Sequence, residues 1–156
     1  MSIFARLMYR ALVWKERQRA QRDRSTLAAA GEISQPAHLE IGKRGETLAF
    51  WYLRQAGYTI VARNKRARSG AGELDLVGWD GPILAFVEVK TRTSNEAGPP
   101  EAAVSRAKQK KIVKAAREYL RRLRQKPVKY RFDIVSVFWE PESGCRLRLT
   151  KDAFKG

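Results

Sequence analysis

Two apolar-rich runs, residues 74–79 and 83–90, flank Asp80-Gly81-Pro82. Asp-Gly between such runs predicts a tight β-hairpin, because both turn residues must accept positive φ. A two-residue loop at Asp80-Gly81 sets Asp75 opposite Phe86 and Glu73 opposite Glu88. Opposed residues share a sheet face and side chains alternate along each strand. Glu73, Asp75, Glu88 and Lys90 therefore project from one face, while Leu74, Leu76, Ala85, Val87 and Val89 form the core side. A three-residue loop would reverse one strand and bury the charges.

The remaining pattern alternates helices and strands. A helix is expected from about Gly42 to Gln55, with Glu46 in its first turn, Leu48, Ala49, Tyr52 and Leu53 as its apolar stripe, and Gly57 closing it. Residues 58–63 read as the first strand, 91–101 as a Gly-Pro loop flanking the hairpin's open end, and 103–123 as a second helix. Strands at 130–137 and 145–149 complete an α/β fold. Upstream, Phe4, Leu7, Met8, Ala11 and Trp14 recur at helical spacing among Arg6, Arg10, Arg17 and Arg19. This basic amphipathic helix has three readings: it packs on the folded domain or a partner chain, lies on an anionic membrane surface, or serves as a loose arm on DNA. Residues 25–38 read as a linker, which divides the chain into 1–38 and a domain at 39–156.

A cluster of acids needs a reason. Adjacent carboxylates repel, and a bare pair drives one pKa upward. A hard divalent cation relieves the conflict, and Mg²⁺ typically takes one or two carboxylates together with substrate phosphate oxygens and water. Asp75 and Glu88 thus form a candidate Mg²⁺ site, with Mn²⁺ as a substitute, suited to phosphodiester hydrolysis. Lys90, two residues from Glu88 on the same face, would position the attacking water or offset charge in the transition state. The plain alternative is an exposed sheet face carrying an ordinary Glu–Lys pair.

Charge sharpens the choice. Thirty-two Lys and Arg against 16 Asp and Glu give the 156-residue chain a formal charge of +16. That excess points first to nucleic acid as partner, then to an anionic membrane. In the second helix Arg106, Lys108, Lys110, Lys111, Lys114, Arg117, Arg121 and Arg122 face a single acid, Glu118. Solvated helix faces usually mix signs. This one suits phosphate contacts, which hold nucleic acid without reading sequence. Lys108 and Lys111 are candidate contacts, as are Arg63, Lys65, Arg66 and Arg68 beside the first strand. Gln109 either reaches a phosphate or is a plain surface residue.

Several chemistries are disfavoured. His38, the only histidine, falls in the expected linker, and Cys145 is the only cysteine, so neither histidine-based catalysis nor a disulfide or CxxC framework is expected. Gly70-Ala71-Gly72 precedes a strand and lacks the lysine of a phosphate-cradling loop. Trp51, Trp79 and Trp139 read as packing residues, and Asp133 as structural or supporting rather than a ligand. No run is long and apolar enough to span a membrane, and charges interrupt any leader-like segment, so a cytoplasmic location is expected.

Asp75 followed by Glu88-Val89-Lys90 resembles the PD-(D/E)xK signature of restriction-endonuclease-like nucleases. Gly42-Lys43-Arg44-Gly45-Glu46 through Asn64, then Gly72-Glu73-Leu74-Asp75-Leu76-Val77, Phe86-Val87-Glu88-Val89-Lys90-Thr91-Arg92, Lys108-Gln109-Lys110-Lys111 and Arg131-Phe132-Asp133-Ile134-Val135 are similar to the YraN-like family of uncharacterised bacterial proteins. The likeness spans roughly residues 39–149 and implies a mixed sheet flanked by helices, akin to archaeal Holliday-junction resolvases. By that resemblance Asp75, Glu88 and Lys90 take catalytic positions, and Glu46 matches an acid that joins the site from the first helix. Leu74 stands where the named motif has proline, and the loop at 67–72 is longer than is usual in the family. The implied activity is Mg²⁺-dependent cleavage of DNA, plausibly branched. Symmetric cutting of a four-way junction would need two sites and hence a homodimer. The alternatives are a non-catalytic nucleic-acid-binding protein on the same fold and a membrane-surface adaptor.

Overall fold

A computed structural model describes residues 2–27, 35–93, 104–140 and 144–156. The elements run α1 (Ile3–Leu27), α2 (Gln35–Gln55), β1 (Thr59–Arg66), β2 (Glu73–Asp80), β3 (Ile83–Thr93), α3 (Arg106–Arg122), β4 (Lys129–Glu140) and β5 (Gly144–Phe154). The five strands lie in the order β1-β2-β3-β4-β5. Only β3 and β4 are parallel; the other neighbours are antiparallel. Parallel neighbours require a crossover, and α3 supplies it. The architecture is a restriction-endonuclease-like α/β fold, as expected.

Both faces of the sheet are buried. Beneath α3, Leu74, Val77, Leu84, Phe86, Phe132 and Ile134 pack with Ile112, Ala115 and Ala116. Those three residues, with Tyr119, recur at the spacing of one helix stripe. On the opposite face Leu76, Ala85, Val87, Val135 and Val137 pack with Leu48, Ala49 and Leu53 of α2, joined by Leu12 and Val13 of α1. The expected division into one charged and one apolar face is therefore corrected. Leu74 and Leu76, two residues apart, enter opposite cores. The strand turns over between them at Asp75, level with Asn64 of β1, whose φ is +46°.

The hairpin turn also differs from expectation. Asp80 pairs with Ile83, leaving Gly81-Pro82 as the loop. Gly81 has φ +57°, and proline holds a negative φ. That combination fits a II′ turn, which needs glycine only at its first central position. Asp75 consequently falls level with Glu88 rather than Phe86. Because the register moves by two residues, not one, the alternation of faces near Glu88 survives.

The first domain helix starts earlier than expected. α2 begins at Gln35, not Gly42. Pro36 occupies its first turn, where a missing N–H is harmless. Glu46 therefore sits mid-helix, and attraction to an N-terminal dipole does not explain it. Of the expected linker, 28–34 lies outside the described residues, and the segment from Gln35 to His38 belongs to α2. At its other end α2 closes as foreseen: Gly57, at φ +99°, donates to the Arg54 carbonyl, and Tyr58 N–H donates to that of Leu53. Those two bonds make a Schellman cap, and Tyr58 buries itself beside Leu53. Of the expected loop at 91–101, Thr91 to Thr93 extend β3 and the rest lies outside the described residues.

The N-terminal helix docks on the domain. Ala5 and Glu16 are buried, Phe4 meets Trp51 edge-on at 5.7 Å, and Arg44 of α2 donates to both Glu16 carboxylate oxygens. Burial lowers the Arg44 pKa.

Candidate active site

The acids converge where β2 and β3 separate. The last paired residues on this side are Leu76 and Val87. Beyond them the Asp75 side chain substitutes for a backbone carbonyl, its Oδ2 accepting from Val89 N–H at 2.8 Å. Glu88 is almost fully buried, 6% exposed. Its Oε1 lies 2.9 Å from Lys108 Nζ of α3. Burial above all, then the negative field of Glu88 and that of Glu46, push the Asp75 pKa up to about 7, against the Val89 hydrogen bond and Lys108, which lower it. Glu46 arrives from α2 and accepts from Asn64 Nδ2 at 3.0 Å. The field at Asp75 thus registers the two other acids, Glu88 and Glu46. Lys90 is exposed and, with Glu88, Val104, Ser105 and Lys108, lines a cleft of about 220 Å³.

The helix that carries Glu46 is packed tightly against the strand that carries Lys90. A Cβ at Gly45 would fall 2.5 Å from Thr91 Oγ1. Gly45→Ala is expected to cost about 1–3 kcal/mol through overpacking. Thermal melting would show it, and an unchanged melting temperature would contradict the close contact.

Lys108 differs most from expectation. It pairs with Glu88. Burial works against its charge, but the hydrogen bond and field of Glu88 outweigh that and raise its pKa. Sequence periodicity places Lys108 on the basic helix but gives no sign that it would meet an acid from β3. Asn64 is the other residue whose role periodicity does not disclose. Among the described residues, no group of three or more His, Cys, Asp or Glu is placed to hold a metal ion by itself.

The expected phosphate contacts are also more varied than their charges suggest. Gln109 Nε2 donates to the Val104 carbonyl, helping to cap the start of α3 where Ser105 accepts from Lys108 N–H. Arg66 pairs with Glu73 at 3.3 Å. Arg63 lies over the Phe50 ring at 4.5 Å. Glu118, the lone acid of α3, accepts from Ser69 Oγ and from the backbone N–H groups of Arg68 and Ser69. Led by the Ser69 hydroxyl, these bonds hold its pKa down at about 2. They also pin the long 67–72 loop against α3. Between them lies a groove of about 910 Å³, lined by Arg106, Lys110, Lys111, Lys114, Arg117 and Lys155 together with Ser69, Gly70 and Ala71, and, among the described residues, by no Asp or Glu. Lys65, exposed on β1, lines a separate cleft of about 230 Å³ with Arg66, Arg68 and Glu118.

Residues 45–137 match the sequence profile described as "Uncharacterised protein family UPF0102". The chain belongs to that family. Similar UPF0102 proteins include one from Koribacter versatilis, 49% identical over 107 residues that cover 69% of this chain and 74% of the relative. One from Solibacter usitatus is 56% identical over 96 residues, covering 62% and 73%. A third, from Symbiobacterium thermophilum, is 46% identical over 114 residues, covering 73% and 95%. The matched segment of this UPF0102 chain holds Glu46, Asp75, Glu88, Lys90 and Lys108, whereas α1 lies outside it.

Proposed function

We propose that this protein is a Mg²⁺-dependent endonuclease acting on branched or otherwise structured DNA. The observation that carries the reading is Asp75 beside Glu88, two acids at the open end of a hairpin with Glu46 behind them and Lys90 at the cleft. Burying such acids together is unfavourable unless a cation compensates. Lys108 compensates in part, by its contact with Glu88 and its field at Asp75.

Asp75 and Glu88 suit Mg²⁺, which seldom uses a full cage of protein ligands and takes its remaining oxygens from phosphate and water. When bound, the ion would activate water and polarise the scissile phosphate. The protein's own groups do the rest. The Val89 N–H fixes Asp75 Oδ2, leaving Oδ1 as a donor atom. Asn64 orients Glu46. Lys90 offers a mobile ammonium to the attacking water or to the phosphate. Lys108 can move from Glu88 to an incoming phosphate oxygen, so ligand entry exchanges one partner for another.

The groove on the α3 side supports a polyanionic substrate. All its cations but Lys155 come from successive turns of one helix, and no aromatic side chain among the described residues lines it. Those features suit backbone phosphates rather than stacked single-stranded bases. Reversing two of them, Lys110→Glu and Lys114→Glu, should weaken DNA binding about equally for all sequences and flatten its dependence on salt by roughly two counterions. An unaltered salt slope would remove the groove from the binding surface.

The function is tested by incubating the protein with labelled four-way junction, splayed duplex, linear duplex and single strand, with Mg²⁺ or Mn²⁺ and without either, beside Lys90→Ala. Metal-dependent cutting that falls about 100-fold or more in the variant is the expected result. Binding without cutting on every substrate would instead favour a non-catalytic nucleic-acid-binding protein.

A further inference from the structure

Helix α1 is apolar on two opposite sides. Its inner side, with Ala5, Leu12, Val13 and the paired Glu16, packs on the domain. Its outer side presents Ile3, Leu7 and Trp14, which are 76%, 59% and 64% exposed. With Ala11, also exposed, they follow the i, i+4, i+8, i+11 spacing of a single stripe. Ordinary surface helices place polar residues there. A continuous exposed apolar ridge marks an interaction surface.

Charge selects the occupant. Glu16 is the only acid among the first 22 residues, and Arg44 neutralises it. Arg6 and Arg10 border the ridge on one side and Lys15 on the other, all exposed. A second copy would bring arginine against arginine along this ridge. An anionic lipid surface meets both demands: the apolar side chains enter the headgroup boundary, the cations meet lipid phosphates, and tryptophan is favoured at that depth. No helix among the described residues is long and apolar enough to cross a membrane. The contact is with a surface.

We infer that the outer face of α1, centred on Leu7 and Trp14, docks this protein onto anionic phospholipid membranes. Helix α1 packs on the sheet face that carries α2, so the docked protein keeps the α3 groove on its other side. This inference does not depend on the nuclease reading.

The test is co-sedimentation of the full chain with vesicles of phosphatidylcholine alone or with roughly 40 mol% phosphatidylglycerol, at low salt and at about 0.3 M salt, where purely electrostatic adsorption is screened. The protein should sediment with the anionic vesicles at both salt concentrations and weakly with the neutral ones. Ile3→Ser/Leu7→Ser/Trp14→Ser keeps every charge and alters only exposed positions. It should bind at least about tenfold more weakly at the higher salt, with its DNA affinity unchanged. A second variant, Arg6→Ser/Arg10→Ser, spares the ridge and should lose the preference for anionic over neutral vesicles. Equal sedimentation of the wild type and the Ser triple variant would overturn the inference by showing adsorption through general charge. Failure of the wild type to sediment would overturn it outright. So would a dimer in light scattering that the Ser triple variant dissociates, because a second copy would then cover the ridge.

Discussion

Without divalent ions at pH 8, Asp75→Asn is expected to melt above the wild type, by on the order of 2 kcal/mol of stability. The Asp75 pKa is raised on folding from 3.8 to about 7. A carboxyl with a raised native pKa binds its proton more tightly in the native state. Between about pH 4 and pH 7 the folded protein therefore holds more proton than the unfolded chain at this site, and its stability falls as pH rises through that window. Above it the charged Asp75 remains a burden, because burial and Glu88 both oppose its ionisation. Asparagine removes the charge, yet its side-chain oxygen can still accept from Val89 N–H. Mg²⁺ should raise the melting temperature of the wild type and leave Asp75→Asn nearly unmoved, since ligand binding to the native state stabilises it. Differential scanning fluorimetry across pH, with and without Mg²⁺, reads both effects. A variant less stable than the wild type at pH 8 would show that the acids are already relieved within the protein.

Asp133→Ala should have the opposite and larger effect, a loss of about 3–5 kcal/mol, or roughly 10 °C in melting temperature. Asp133 is fully buried in β4. It accepts from Tyr58 OH at 3.1 Å, from Arg131 Nε at 2.8 Å and from Asp152 N–H at 2.9 Å. Arg131 also donates to the Tyr58 hydroxyl and to Asp80, which Lys151 meets from β5. The cluster ties the α2 cap, the hairpin turn, β4 and β5 together. Removing Asp133 would leave a largely buried guanidinium with one carboxylate and a tyrosine hydroxyl without its acceptor. Asp80 adds a pH signature. The Lys151 hydrogen bond first, then Arg131, lowers its pKa. Its contribution is thus present above its ordinary value of 3.8 and is lost as pH falls below it. Denaturant titration at pH 7 measures the loss in Asp133→Ala. A change below about 1 kcal/mol would show that the cluster is ornamental to stability.

The two predictions separate kinds of acid that look alike in the sequence. Asp75 and Asp133 each lie in a strand among apolar residues. Asp133 meets an arginine, a hydroxyl and a backbone N–H, whereas Asp75 meets another carboxylate and one backbone N–H. The first is a satisfied structural group. The second is the kind of unrelieved site in which function is sought.

Much of the site was legible because strand alternation is insensitive to a register error of two. The turn moved from Asp80-Gly81 to Gly81-Pro82, yet Asp75 and Glu88 still came together. The hydrophobic pattern likewise marked α2, α3 and the strands, with ends that shifted by several residues where Pro36 was mistaken for linker. What pattern could not convey was the reversal at Asp75, which lets Leu74 and Leu76 enter opposite cores. It lies level with Asn64 on the neighbouring strand, whose φ is positive. The pairing of Lys108 with Glu88 was hidden for a similar reason. It joins residues 20 positions apart through the crossover geometry of α3, and a count of charges on the helix cannot show which cation turns inward.

The endonuclease reading rests on Asp75 doing chemistry rather than structure, and the most direct measurement is the single-turnover cleavage rate of a labelled four-way junction at pH 8 in Mg²⁺. The wild type should cut, while Asp75→Asn should bind the same DNA at least as tightly and cut roughly 1000-fold more slowly or worse. Equal cleavage by the two proteins, or binding by both with no cleavage by either, would contradict the account.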